Sequence, residues 1–169
     1  MRRRLGILCC FLMLVAGCGY HRLGKGESLG GVSAVKVDMF ANHTYQPFLE
    51  NVLTNAVTQR FLRTASWRLV EDDTKADAVF SGRVDDYHSD PISFDAHDNV
   101  LEYRAYMKVS GELRRQVDGK VLWKGSLTWS DEYPGSLDKG QQADEESAAI
   151  NSIAERLAEE FYFHLTDNF

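Results

Sequence analysis

Between Leu101 and Arg114 the chain alternates without a break. Leu101, Tyr103, Ala105, Met107, Val109, Gly111 and Leu113 fall on one side, against Glu102, Arg104, Tyr106, Lys108, Ser110, Glu112 and Arg114 on the other. A period of two held over so long a run predicts a strand with one apolar and one polar face. Asp118-Gly119 is a hairpin turn pair, and Val121, Trp123, Gly125, Leu127 and Trp129 repeat the alternation on the return. A long hairpin with one apolar face needs a second layer to cover it.

Two amphipathic helices can supply that layer. From Pro47 to Arg63, Phe48, Leu49, Val52, Leu53, Ala56, Val57, Phe61 and Leu62 follow the i, i+3/i+4 spacing of a helical stripe. Pro47 stands where a proline opens a first turn. The other face (Glu50, Asn51, Thr54, Asn55, Thr58 and Gln59) carries a single charge. A second stripe runs from Ala148 to Leu165 through Ile150, Ile153, Ala154, Leu157, Ala158 and Phe161. Asp144, Glu145 and Glu146 are expected at its start, where negative charge suits the helix dipole.

Shorter strand signals complete the pattern. Val35, Val37 and Met39 alternate with Lys36 and Asp38; Trp67 to Val70 and Ala78 to Tyr87 read as two more strands, with a polar loop from His88 to Asn99. The expected fold class is α+β, a two-layer α/β sandwich with two helices on one face of a roughly four-stranded mixed sheet and a long hairpin. The strand–helix–strand start suits parallel strands joined by a crossover.

The N-terminus sets the address. Arg2-Arg3-Arg4, the apolar run Leu5–Val15 and Val15-Ala16-Gly17-Cys18 have the form of a bacterial lipoprotein signal. As a helix, Leu5–Val15 would reach about 16 Å, roughly half a bilayer core, too short to remain as an anchor. Residues 1–17 are therefore a cleaved signal peptide. Residues 18–31 are an acylated cysteine (Cys18, N-acyl and S-diacylglycerol) with a glycine-rich tether, and residues 32–169 the domain. Gly19 after the cysteine, rather than aspartate, points to the outer membrane, where the acyl chains hold the protein on the periplasmic side.

Charge and composition narrow the chemistry. The chain has 25 acidic residues against 19 basic ones, three of which leave with the signal. So acidic a domain argues against nucleic acid as a partner. Cys9 and Cys10 also leave and Cys18 is modified, so neither a disulfide nor a cysteine zinc site is expected. Asp85, Asp86, His88, Asp90, Asp95, His97 and Asp98 are the densest set of metal-ligating side chains. They match neither the calcium-loop nor the H-E-x-x-H pattern, and no metal or other cofactor is expected. No G-x-S-x-G nucleophile elbow occurs, and the expectation is a non-enzyme. Charge is segregated instead: residues 100–124 carry Arg104, Lys108, Arg114, Arg115, Lys120 and Lys124 against Glu102, Glu112 and Asp118. A locally basic hairpin suits phosphate groups, and Arg104 and Lys108, on its polar face, are the candidate glycolipid-binding residues.

Several segments resemble one family in order along the whole chain. They are Cys18-Gly19-Tyr20-His21, then Phe40-Ala41-Asn42-His43-Thr44-Tyr45 running into the Pro47-led helix, and Ala76-Asp77-Ala78-Val79-Phe80-Ser81-Gly82-Arg83-Val84. Glu102-Tyr103-Arg104, Gly119-Lys120-Val121-Leu122-Trp123 and Glu132-Tyr133 follow. The set is similar to the LPS-assembly lipoproteins, the LptE family. That resemblance implies a non-enzymatic plug in the lumen of a large outer-membrane β-barrel, LptD. It further implies help in assembling that barrel and in delivering lipopolysaccharide to the outer leaflet. The alternative is an outer-membrane lipoprotein that activates a peptidoglycan synthase. Such a role needs a linker long enough to cross the periplasm. The thirteen residues Gly19–Gly31 span at most about 45 Å at 3.3–3.6 Å each, which favours the barrel.

Overall fold

Three long strands carry the domain. They are β4 (Ala78–Phe94), β5 (Val100–Arg115) and β6 (Val121–Pro134), an antiparallel meander. Against β4 lie, in parallel, β1 (Ala34–Val37) and β2 (Ala41–Asn42), and β3 (Arg68–Leu69) pairs with β1, also in parallel. The order is β3-β1-β4-β5-β6, with β2 continuing beside β4. Helices α1 (Leu49–Leu62) and α2 (Lys139–Asp167) pack on each other and on one face of the sheet. The computed structural model describes residues 31–63 and 67–167; the signal peptide, Cys18 and the tether up to residue 30 lie outside them.

The two-layer α+β expectation holds, with a six-stranded mixed sheet in place of about four strands. The unit β1–α1–β3 joins parallel strands, as anticipated. On β5, Ala105, Met107, Val109 and Leu113 are buried, together with Ile153, Leu157, Phe161 and Leu165 of α2 and Leu49, Leu53, Val57 and Phe61 of α1. Between the layers Phe40, Phe61, Phe80, Phe161 and Trp123 meet edge-on or tilted, with ring centroids 5.5–6.4 Å apart, the arrangement that ring quadrupoles favour.

Several boundaries differ from the sequence pattern, each for a physical reason. Met39 was expected on the buried face but is 68% exposed, and Phe40 is buried instead. Val37 pairs with Phe80 and Ala41 with Arg83, so four steps along β1–β2 match three along β4. The extra residue reverses the facing of the chain, as in a bulge. Helix α1 begins at Leu49, with Phe48 as its N-cap at φ 68°, so Pro47 precedes the helix rather than opening it. Phe48 and Leu62 are exposed.

Residues 88–94, expected in a loop, are strand, and only the short turn to Asn99 is irregular. This outer arm of the hairpin lacks a simple alternation to betray it. Helix α2 starts at Lys139, well before Ala148. Asp138 Oδ1 accepts the N–H groups of Gly140 and Gln141 at 2.8 and 3.0 Å, so Asp138 is the N-cap, and Asp144–Glu146 lie further along the helix. With 29 residues α2 spans about 43 Å, while the 16 residues of β5 span about 54 Å. The sheet outruns its cover, which leaves Leu101 and Phe94 about half exposed.

Candidate functional site: the uncovered face of the sheet

The helices cover one face of the long strands only. On the other face, among the described residues of β4, β5 and β6, no side chain is buried. Its composition follows from the alternation: every second residue of β5 and β6 points away from the core. On β4 a register shift between Val84 and Asp86 lets Asp85 and Asp86 both face outward, so the acidic run continues onto this surface.

Oppositely charged groups from neighbouring strands organise the face. Glu112 meets Arg114 on its own strand and Lys124 of β6, the latter at 3.3 Å. Burial pushes the Glu112 carboxyl up, but Lys124 and Arg114 outweigh it and hold the group below its ordinary range. Asp85 accepts from the Ser110 hydroxyl and from Arg83 Nε. There too burial raises the carboxyl, while Ser110 and Arg83 prevail and lower it. His88 stacks on Tyr106 with 4.9 Å between ring centroids, and its nitrogens lie 3.2 Å from Asp86 and 3.8 Å from Asp90.

The two candidate glycolipid-binding residues share this surface but differ in their partners. Arg104 Nε donates to Glu132 Oε1 at 3.0 Å, and its Nη1 donates to the Tyr106 hydroxyl at 3.4 Å. The Glu132 pair lies across the β5–β6 register. Lys108 stands opposite Asp86 on β4 and Thr128 on β6; among the described residues it makes no ion pair within 4.0 Å. Much of the hairpin's positive charge is thus met by carboxylates from its own strands, a balance that strand-by-strand counting misses. Lys108 instead lies across from Asp86 and adds to the positive charge that lowers the Asp85 carboxyl.

The candidate metal-ligating side chains of residues 85–98 are taken up by different partners: His88 lies between Asp86 and Asp90. Asp85 serves Ser110 and Arg83, while Asp95 closes the β4–β5 turn by accepting the N–H groups of His97 and Asn99 at 2.7 and 2.9 Å. Among the described residues no group of three His, Cys, Asp or Glu side chains is arranged to hold a metal ion.

Two of the family-like segments serve the fold through Asn42 and Asp77. Asn42 Oδ1 accepts from the N–H and hydroxyl of Thr44, and its Nδ2 donates to Gln46 O and Glu50 Oε2 at 2.8 and 2.9 Å. It therefore shapes the turn into α1. Asp77 Oδ2 accepts three bonds of 2.8 Å, from the N–H and hydroxyl of Ser33 and from the N–H of Ala34. That carboxylate pins the entry of the domain to the start of β4. On the helix side, Tyr87 donates to Glu146 at 2.7 Å; burial and then this carboxylate push its phenol well above the ordinary range. Spacing along the sequence could not reveal this clasp, because its partners come from β4 and α2.

This architecture is the one found in small α+β domains of bacterial lipoproteins. Similar structures include a putative lipoprotein from Caulobacter crescentus CB15 (TM-score 0.56, 11% identity, 85% of this chain and 94% of that one). Another is the rare lipoprotein B from Shewanella oneidensis (0.55, 16%, 79% and 95%). The hypothetical protein CT253 from Chlamydia trachomatis is also similar (0.56, 10%, 79% and 95%). Within that class the chain belongs to the LptE family of lipopolysaccharide-assembly proteins, whose model matches residues 32–165. No curated protein sequence matches it significantly.

Proposed function

We propose that this chain is an outer-membrane lipoprotein, acylated on Cys18, that sits as a plug in the lumen of the LPS-assembly barrel LptD. In that position it assists the barrel's assembly and the delivery of lipopolysaccharide to the outer leaflet. The family match over residues 32–165 carries this reading. The geometry supports it: the lumen of an outer-membrane barrel is polar and wet, and a sheet face without a buried side chain among its described residues suits such surroundings. Lys108 and Arg104, on that face, are the groups to meet lipopolysaccharide phosphates, Lys108 directly and Arg104 by releasing Glu132. The role involves no catalytic step and no cofactor. Among the described residues no helix is long and apolar enough to cross a membrane, and attachment is assigned to the acyl chains.

The test is co-purification of the full-length protein from detergent-solubilised outer membranes. A stable complex with a large β-barrel protein is expected. Recovery of the lipoprotein alone, or with a peptidoglycan synthase, overturns the proposal.

A further inference from the structure

Helices α1 and α2 run in the same direction, each returning from the far end of a strand to the edge where β1 and β4 begin. Between them lies an open groove of about 310 Å³. Its apolar lining is small, Val52 and Ala56 from α1 with Ala154 and Ala158 from α2. Its charged lining differs in sign from wall to wall. Helix α1 brings Arg60 and its C-cap Arg63, one turn apart, and α2 brings Glu155 and Glu159, also one turn apart.

The two walls do not close on each other. Among the described residues neither arginine makes an ion pair within 4.0 Å, nor does Glu155, while Glu159 turns along its own helix to Arg156 at 3.0 Å. Arg60 is held back from the carboxylates, because its guanidinium lies over the Tyr162 ring, 4.8 Å from the centroid. Its Nε is buried without a hydrogen-bond partner, and a buried donor is rarely left idle. Arginines in the last turn of a helix also suit its dipole. That accounts for one wall of the groove and not for the carboxylates on the other.

We propose that this groove binds a zwitterionic phosphate ester, a phosphoethanolamine group, whose tail leaves through the open mouth. The phosphate sits at Arg60 and Arg63, whose planar donor forks match its oxygens. The ammonium sits at Glu155 and Glu159, and the methylenes joining the two charges lie along the small apolar lining. A simple anion would meet two carboxylates, and a simple cation two arginines. A group that carries both charges a few bonds apart satisfies both walls. A volume of about 310 Å³ is at the small end for ligand sites, which fits a headgroup rather than a whole lipid. Phospholipid and decorated lipopolysaccharide can both present this group, and the groove would read the same chemistry in either. The inference rests on the helix side of the domain and is independent of the barrel reading and of Arg104 and Lys108.

Calorimetric titration tests it, with the full-length acylated chain in a maltoside detergent that carries neither phosphate nor amine. Glycerophosphoethanolamine should bind saturably, one molecule per chain, and glycerol phosphate and ethanolamine should each bind about tenfold more weakly or worse. Arg63 and Glu155 are exposed, so Arg63→Gln and Glu155→Gln should keep the parent's melting temperature while each weakens binding about fivefold or more. Absence of saturable binding, equal binding of glycerol phosphate, or unchanged binding in either variant overturns the inference. Competition then identifies the source. Displacement of the probe by dihexanoylphosphatidylethanolamine, and not by the phosphatidylglycerol counterpart, assigns a phospholipid. Displacement by lipopolysaccharide carrying phosphoethanolamine, and not by the undecorated form, assigns the glycolipid; displacement by neither overturns the inference.

Discussion

Gly82 and Phe40 form one unit. A Cβ built on Gly82 would stand 2.1 Å from the Phe40 ring, and Phe40 itself is 2% exposed. The ring cannot retreat from a packed aromatic cluster, so Gly82→Ala should destabilise the domain by about 1–3 kcal/mol, measurable by urea unfolding. Asp77→Ala removes the acceptor of three hydrogen bonds and should cost on the order of 1–3 kcal/mol in the same measurement. Backbone N–H groups of Ser33 and Ala34, then the Ser33 hydroxyl, hold the Asp77 carboxyl below its ordinary 3.8. Because the folded value is the lower one, its stabilisation is fully present above that ordinary value. It fades as pH falls through the folded value. The parent should therefore lose stability to acid below about pH 4 more steeply than Asp77→Ala, as seen in unfolding curves recorded against pH. On the open face, charge reversal at both Arg104 and Lys108 should weaken lipopolysaccharide binding to the purified protein. Unchanged binding would remove these residues from the proposal and leave the plug intact.

Elements show where pattern reading succeeds and where it stops. The stripe of α2 and the alternation of β5 were legible because burial on one face writes a period into the residues that endure it. The start of α2 was not, because its first turns are polar on every side and only the cap identifies them. Asp138→Ala should cost about 1 kcal/mol, detected as a lower melting temperature with the fold retained. The turn from outward Met39 to inward Phe40 was equally hidden. It depends on β1–β2 having one residue more than the stretch of β4 beside it, and only pairing reveals that. Arg104 and Lys108 were legible as cations on the polar face of the hairpin. That Glu132 stands against Arg104 while Thr128 stands against Lys108 follows from the β5–β6 register, which spacing does not specify.

At the scale of the whole molecule the domain is a sheet with one dry face and one wet face, and its proposed anchor lies outside the described residues. Cys18→Ala should move a folded protein from the membrane to the soluble fraction, read by fractionation and circular dichroism, if the acyl chains are the attachment. By itself the sequence determined the α+β class, the two helical stripes, the long hairpin and the lipoprotein form of the N-terminus. Each of these is written in local periodicity or in a short contiguous motif. Only the tertiary structure decided the six-stranded order and the balance of charge across the open face. Those depend on which strands lie side by side, a relation between residues far apart in the chain that local patterning does not encode.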